Sequence, residues 1–161
     1  MINISVFTGT RAEYGLLKHL MRQLDDTPEI NLSILVSGMH LSSEFGHTVD
    51  EIIADGLPVT EQVEMLLSSD TPTGLCKSMG LGLIGFSESL QRLSPDLLII
   101  LGDRFEALSA ATAAMISRIP IGHIHGGEAT EGLIDEPIRH SITKMSHLHF
   151  TTTEAYRNRV I

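Results

Sequence analysis

The stretch Asp96-Leu97-Leu98-Ile99-Ile100-Leu101-Gly102-Asp103-Arg104-Phe105-Glu106 decides the fold of this chain. Leu97 to Leu101 is an unbroken apolar run, which reads as a strand buried in a covered sheet. A glycine and a carboxylate end it, and the Ala-rich run Phe105 to Ile116 reads as a helix. In open α/β folds ligands gather outside the carboxyl ends of the strands, so Asp103 falls where catalytic groups sit. Its alternative reading is an N-cap for the helix beginning near Phe105. Glu106, in the first turn of that helix, suits the helix dipole and reads as structural.

The same alternation extends in both directions. Upstream, Ile4 to Phe7 is a short apolar strand, followed by the turn Thr8-Gly9-Thr10-Arg11 and a helix carrying Leu16, Leu17, Leu20, Met21 and Leu24 on one face. Ile30 to Val36 is a second strand, Gly38 to Gly46 a loop, His47 to Ala54 a short helix closed by Gly56, and Val59 to Leu66 a third strand. Thr71-Pro72-Thr73 starts a helix running to Leu93, whose Gly80, Gly82 and Gly85 imply close packing or bends. Downstream come a strand from Ile119 to His125, a helix from Glu136 to Ser146, and a strand from His147 to Thr151. A further helix follows, capped by Thr152 or Thr153. Strands alternating with helices define an α/β fold, a Rossmann-like parallel sheet of six strands with helices on both faces.

Length and composition narrow the class. The 161 residues suffice for one domain with an ordinary core, and 42% apolar against 19% charged residues is a globular balance. A net charge of −9 with no basic stripe argues against nucleic acid as a partner. No apolar run reaches transmembrane length, and the first residues lack a secretory pattern. The lone Cys76 reads as a core thiol in a reducing cytoplasm. The chain stops inside its last helix, which leads to the expectation that residues 1–161 are one Rossmann-like domain of a longer protein.

Candidate chemistry clusters in the loops that follow the strands. Gly9-Thr10-Arg11-Ala12-Glu13-Tyr14-Gly15 matches neither G-x-G-x-x-G nor a P-loop, so neither a nicotinamide cofactor nor a P-loop nucleotide is supported. What remains is a turn whose N–H groups head a helix beside Arg11, which can bind an anion or serve as a surface ion-pair partner. In His123-Ile124-His125-Gly126-Gly127-Glu128 the period of two puts both histidines on one side of the strand. Two histidines and a glutamate suggest a metal, but no third ligand stands at a familiar spacing. His125 instead reads as a donor or proton carrier at the strand end. In Asp135-Glu136-Pro137-Ile138-Arg139-His140, Asp135 reads as an N-cap, with Glu136 and Arg139 on one helix face. The loop from Thr130 to Asp135 brings this helix start to the rim that holds Asp103 and His125.

Five motifs together, those around Gly9-Thr10-Arg11, Ser37-Gly38-Met39-His40-Leu41, Gly102-Asp103-Arg104-Phe105-Glu106, His123 to Glu128 and Asp135 to Lys144, resemble the hydrolysing UDP-N-acetylglucosamine 2-epimerases, most of all their bacterial sialic-acid and legionaminic-acid branch. The resemblance runs from the first strand to the last residue. It implies a GT-B architecture, in which this chain supplies the N-terminal domain and a missing C-terminal domain faces it across a cleft. It implies a cytoplasmic homodimeric enzyme that takes a UDP-sugar and needs no metal or other cofactor. A base removes the C2 proton, UDP leaves, and water adds to the 2-acetamidoglucal, giving N-acetylmannosamine and UDP. By the same resemblance Asp103, Glu136 and His125 are catalytic, and Gly9, Thr10, Arg11, His40 and Arg139 bind substrate. Non-hydrolysing relatives carry Glu where this chain has His125, read Gly-Thr-Arg-Pro-Glu in the first loop, and have a Lys where Leu16 stands. These departures favour the hydrolysing branch. Runners-up are the non-hydrolysing epimerase, a hydrolysing UDP-N,N'-diacetylbacillosamine 2-epimerase, a GT-B glycosyltransferase half and a non-catalytic binding module. Little or no turnover is expected of the 161 residues alone, and the Gly-rich helix near residues 74 to 86 is a candidate dimer contact.

Overall fold

A computed structural model describes residues 1–132 and 134–161. Six parallel strands form one sheet: β1 (Ile2–Thr8), β2 (Ile30–Ser37), β3 (Val59–Val63), β4 (Leu97–Leu101), β5 (Ile121–Ile124) and β6 (Leu148–Phe150), in the order β3-β2-β1-β4-β5-β6. The helices are α1 (Arg11–Asp25), α2 (Val49–Ala54), α3 (Pro72–Leu93), α4 (Phe105–Ile116), α5 (Asp135–Met145) and α6 (Glu154–Val160). The chain winds outward from β1 to β3, then returns to lay β4 against the other side of β1, pairing Ile4 with Leu97 and Val6 with Ile99. That reversal opens a crevice between the β1 and β4 loops, where doubly wound folds bind ligands.

Alternation along the strands divides the core in two. Ile4, Val6, Ile34, Val36, Ile99 and Leu101 pack with Tyr14, Leu17 and Met21 of α1 and with Val49 and Ile52 of α2. Phe7, Leu35, Leu98 and Ile100 face the other way, onto Phe86 and Leu90 of α3 and the alanines of α4. Successive side chains of a strand point to opposite faces, so an all-apolar strand requires helices on both. Phe7 and Phe86 meet edge to face with centroids 5.6 Å apart, a geometry that aromatic quadrupoles favour. Ala107, Ala110, Ala111, Ala113 and Ala114 are buried, and their small side chains let α4 approach both the sheet and α3.

Most expected elements are present, and the departures have local causes. Thr71 caps α3 by accepting from the Gly74 N–H at 3.0 Å, and Thr153 caps α6 through Tyr156 N at 3.2 Å. Gly82 and Gly85 of α3 pack inward, while Gly80 is exposed: a Cβ at Gly82 would lie 2.7 Å from Met65 Cε, and one at Gly85 2.5 Å from Val63 Cγ1. The inward pair is used for packing within the chain, the close packing that the glycines implied. Leu16, expected in the core, is 67% exposed, because it sits one residue off the line of Leu17 and Met21. Cys76 is exposed rather than a core thiol. α2 starts at Val49 instead of His47, whose φ of 49° is left-handed, and β3 ends at Val63 instead of Leu66. No helix among the described residues is long and apolar enough to cross a membrane.

Candidate functional site

Four loops meet at the carboxyl ends of the strands. In the β1 loop, Thr10 is the N-cap of α1, accepting from the Glu13 N–H at 3.2 Å, while Glu13 Oε2 accepts from the Gly9 N–H at 2.8 Å. This is a relative of the capping box, with a side chain at each end of the turn satisfying a backbone donor. Gly9 and Thr10, expected to meet substrate, thus serve the helix cap. Arg11 projects outward to Glu51, Nε to Oε1 at 2.9 Å, with both side chains largely exposed; the structure gives it the surface ion-pair geometry.

Behind that turn lies a buried charged group. Glu106 is fully buried and receives Arg104 in a fork, Nε and Nη2 each 3.1 Å from a carboxylate oxygen. Burial pushes the Glu13 carboxyl up to about 7, the nearby Glu106 charge adds to this, and the Gly9 N–H and Arg104 oppose it. Gly38 closes over the group: its φ is +63°, and a Cβ there would lie 3.0 Å from both Glu106 Oε1 and the Gly9 carbonyl. A side chain there would be strained by the left-handed φ and would crowd Glu106 and the Gly9 carbonyl. Glu106 is therefore structural, as its helix position suggested, but as the anchor of Arg104.

His40, also expected at the substrate, is fully buried with both ring nitrogens taken: Nε2 is 3.0 Å from Thr8 Oγ1 and Nδ1 is 2.7 Å from Thr48 Oγ1. Burial pushes its pKa down to about 4. It ties the β2 loop to β1 and α2. Beyond it opens a cavity of about 800 Å³, with Gly38, Met39, Ser42, Glu64, Arg104 and Phe105 among its walls. That is ample room for part of a nucleotide sugar.

Asp103 does not cap α4; Arg104 holds the N-cap position without a side-chain bond. The Asp103 carboxylate, 28% exposed, instead receives Arg139 Nη2. Arg139, only 3% exposed, also donates from Nη1 to the Glu128 carbonyl at 2.6 Å and from Nη2 to Thr130 Oγ1 at 2.7 Å. A guanidinium fork can bind three oxygens at once, and here it ties Asp103 to the β5 loop. Arg139, expected to meet the sugar or phosphate, is thus the arm that orients Asp103. Glu136 does not pair with it; Glu136 Oε1 lies 3.4 Å from His140 Nε2 and 3.5 Å from Arg159 Nη2 of α6. Asp135 is the first residue of α5 rather than its cap, which falls on Ile134.

The two histidines of β5 part company. His123 is fully buried; Nε2 donates to the Gly102 carbonyl at 2.8 Å, and Nδ1 lies 3.0 Å from Thr143 Oγ1. Burial lowers its pKa, and as a neutral ring it pins the backbone just before Asp103. β5 ends at Ile124, and His125 takes a left-handed φ of 67°, so the expected strand periodicity stops one residue short. The His125 ring is 39% exposed, with Nδ1 3.4 Å from Glu128 Oε1. Asp103 and the Glu128 backbone beside His125 are therefore linked through Arg139, while Glu136 stands at the head of the same α5. Leu133, in the expected loop from Thr130 to Asp135, lies outside the described residues.

Sequence reasoning passed over Arg104 and Glu13, and weighed Glu128 only as a metal ligand beside the two histidines. The first two had a signal. Glu13 stands three residues after Thr10, the capping-box spacing, and Arg104 two residues before Glu106 on the same rim.

The geometry defines a Rossmann-like unit with carboxylates, arginines and a histidine in the loops at the carboxyl ends of its strands. The profile of the family described as UDP-N-acetylglucosamine 2-epimerase matches residues 22–161, and the chain belongs to that family. It is 44% identical over 158 residues to the GDP/UDP-N,N'-diacetylbacillosamine 2-epimerase (hydrolyzing) of Campylobacter jejuni, covering 98% of this chain and 41% of that protein. It is also 44% identical over 154 residues to the UDP-N,N'-diacetylbacillosamine 2-epimerase (hydrolyzing) of Legionella pneumophila, covering 96% and 41%. The crystal structure of UDP-GlcNAc 2-epimerase from Neisseria meningitidis bound to UDP-GlcNAc superimposes with a TM-score of 0.84 at 22% identity, over 99% of this chain and 42% of that one. The fold is that of the GT-B-like epimerases, and the chain spans about 41% of the length of the curated relatives it matches.

Proposed function

We propose that these residues form one wall of the active site of a hydrolysing UDP-sugar 2-epimerase. The observation that carries the reading is the Asp103 carboxylate, held at the crevice mouth by Arg139 on the scaffold that also carries the loop of His125. Removal of a weakly acidic C2 proton requires a fixed base, and departure of UDP requires an acid or positive charge. Asp103, His125 and Glu136 supply the proton-transfer groups, with Arg104 and Arg11 as the cations on the same rim.

The C2–H and C1–O bonds break as the C1=C2 bond forms, releasing UDP and leaving a 2-acetamidoglucal. Water then adds across the double bond, hydroxyl to C1 and a proton to C2 on the opposite face. The products are UDP and the free 2-epimeric sugar.

UDP-N-acetylglucosamine is the substrate expected from the motifs, giving N-acetylmannosamine. A second reading, UDP-N,N'-diacetylbacillosamine, is favoured by the two 44% identical relatives named for that sugar. Release of UDP and free sugar from each nucleotide sugar in parallel separates the two. A UDP-linked epimer as product would instead indicate the non-hydrolysing reaction.

A facing domain beyond these residues completes the crevice in this reading, so the 161 residues alone turn over little. Homodimer formation belongs to the same proposal, and sedimentation velocity of the complete enzyme tests it; a monomer at micromolar concentration would contradict it. Asp103→Asn in the complete enzyme is expected to reduce kcat at least about a hundredfold, the scale of lost acid-base catalysis. Near-normal turnover in a folded variant would refute the assignment.

A further inference from the structure

Glu128 stands three residues beyond His125 on the β5 loop and is anchored at both ends. Its carboxylate accepts from Thr152 Oγ1 at 3.0 Å, at the start of the segment leading to α6. Its carbonyl accepts from Arg139 Nη1 at 2.6 Å, and Arg139 holds Asp103 with its other nitrogen. His125 is anchored as well, its N–H donating to the Phe150 carbonyl of β6 at 3.0 Å. Between two fixed backbones, the left-handed φ of 67° at His125 turns the ring toward this carboxylate, Nδ1 to Oε1 at 3.4 Å. Left-handed backbone at a histidine is uncommon and costs free energy, and here it coincides with the pairing of a ring nitrogen.

The Glu128 carboxylate lies 3.4 Å from Nδ1 as a charge contact rather than a hydrogen bond, and its negative charge there favours the neutral ring with the proton on Nδ1 over the form with a lone pair on Nδ1. Nε2 is then the lone-pair acceptor; among the described residues neither ring nitrogen makes a hydrogen bond, and only Nδ1 faces a charge. A base whose far nitrogen is held by a carboxylate is the arrangement by which enzymes fix an imidazole tautomer. We infer that Glu128 is the positioning residue of His125, fixing the ring as its Nδ1–H tautomer so that Nε2 serves as the proton acceptor of the crevice. Arg139 ties the Glu128 backbone to Asp103, so the two proposed proton-transfer groups hang on one set of contacts. The inference rests on the acid-base reading of the site given above.

Nitrogen-15 NMR of the histidine side chains in the 161-residue chain tests it, with His125 assigned by a His125→Asn control. The wild-type chain is expected to show neutral His125 mainly as the Nδ1–H tautomer. Glu128→Ala is expected to return the ring to a majority of Nε2–H, the form free imidazole side chains prefer. An Nε2–H majority in the wild type, or an Nδ1–H majority that survives in Glu128→Ala, would overturn the inference. In the complete enzyme Glu128→Ala should lower kcat at least about tenfold, with KM within about threefold, because an acid-base group is misoriented while binding persists. An unchanged kcat would overturn it as well. The tautomer is read without turnover: an Nδ1–H ring found together with a fully active Asp103→Asn enzyme would contradict the acid-base assignment while leaving the Glu128 contact intact.

Discussion

Asp103 acquires its meaning from contacts that lie far apart in sequence. Its place at the end of an apolar strand was legible, since Leu97 to Leu101 could only be a buried strand and Gly102 only its exit. Its partner was not: helix spacing puts Arg139 on one face with Glu136, and only the tertiary fold turns it to Asp103. Buried histidines are hard to read for the same reason, because His40 and His123 look like ligands until both ring nitrogens are seen to be engaged.

Two of these buried groups set opposing pH dependences of stability. Glu13 titrates near 7 in the fold against an ordinary 4.5, so the folded state holds the extra proton between those values. Its contribution is fully present below 4.5 and is lost as pH rises to about 7. His40 titrates near 4 against 6.5, so its contribution is present above 6.5 and is lost as pH falls to about 4. Glu13→Gln keeps an acceptor for the Gly9 N–H without the charge. Thermal melts of this variant should show a gain at pH 8, roughly 2–3 kcal/mol at most, and little change at pH 4.5. An equal or lower Tm at pH 8 would contradict the buried-carboxyl reading.

At the scale of elements, the order of strands and helices followed from periodicity, and the ends did not. Helix α1 shows why: Leu16 and Leu17 are equally apolar, yet only Leu17 shares the buried line with Met21. The end of β5 shows the other limit, because a left-handed residue such as His125 has no signature in an apolar run. The inward glycines and alanines of α3 and α4 were legible as close packing, and the structure assigns that packing to Met65, Val63 and the α3–α4 contact. Phe86 fills the space between α3 and the sheet and meets Phe7 edge to face. Phe86→Ala should therefore cost about 3–5 kcal/mol, measured by urea unfolding of the 161-residue chain. A loss below about 1 kcal/mol would mean that this half of the core repacks freely.

For the whole molecule, the return of the chain from β3 to β4 creates the crevice, with Asp103 in the loop that follows β4. Composition and periodicity reached the α/β class, and five dispersed motifs reached the family, which the profile match over residues 22–161 bears out. The chemistry stays a proposal because it depends on what faces the crevice, and the chain covers only about 41% of its curated relatives.

The central claim is that elimination and rehydration at C1 and C2 occur on this rim. The direct measurement is turnover of the nucleotide sugar by the complete enzyme in D2O and, separately, in 18O-labelled water, followed by mass spectrometry of both products. The account predicts free 2-epimeric sugar carrying one deuterium at C2, and UDP without 18O. UDP bearing 18O, or a sugar with its original C2 hydrogen, would contradict it.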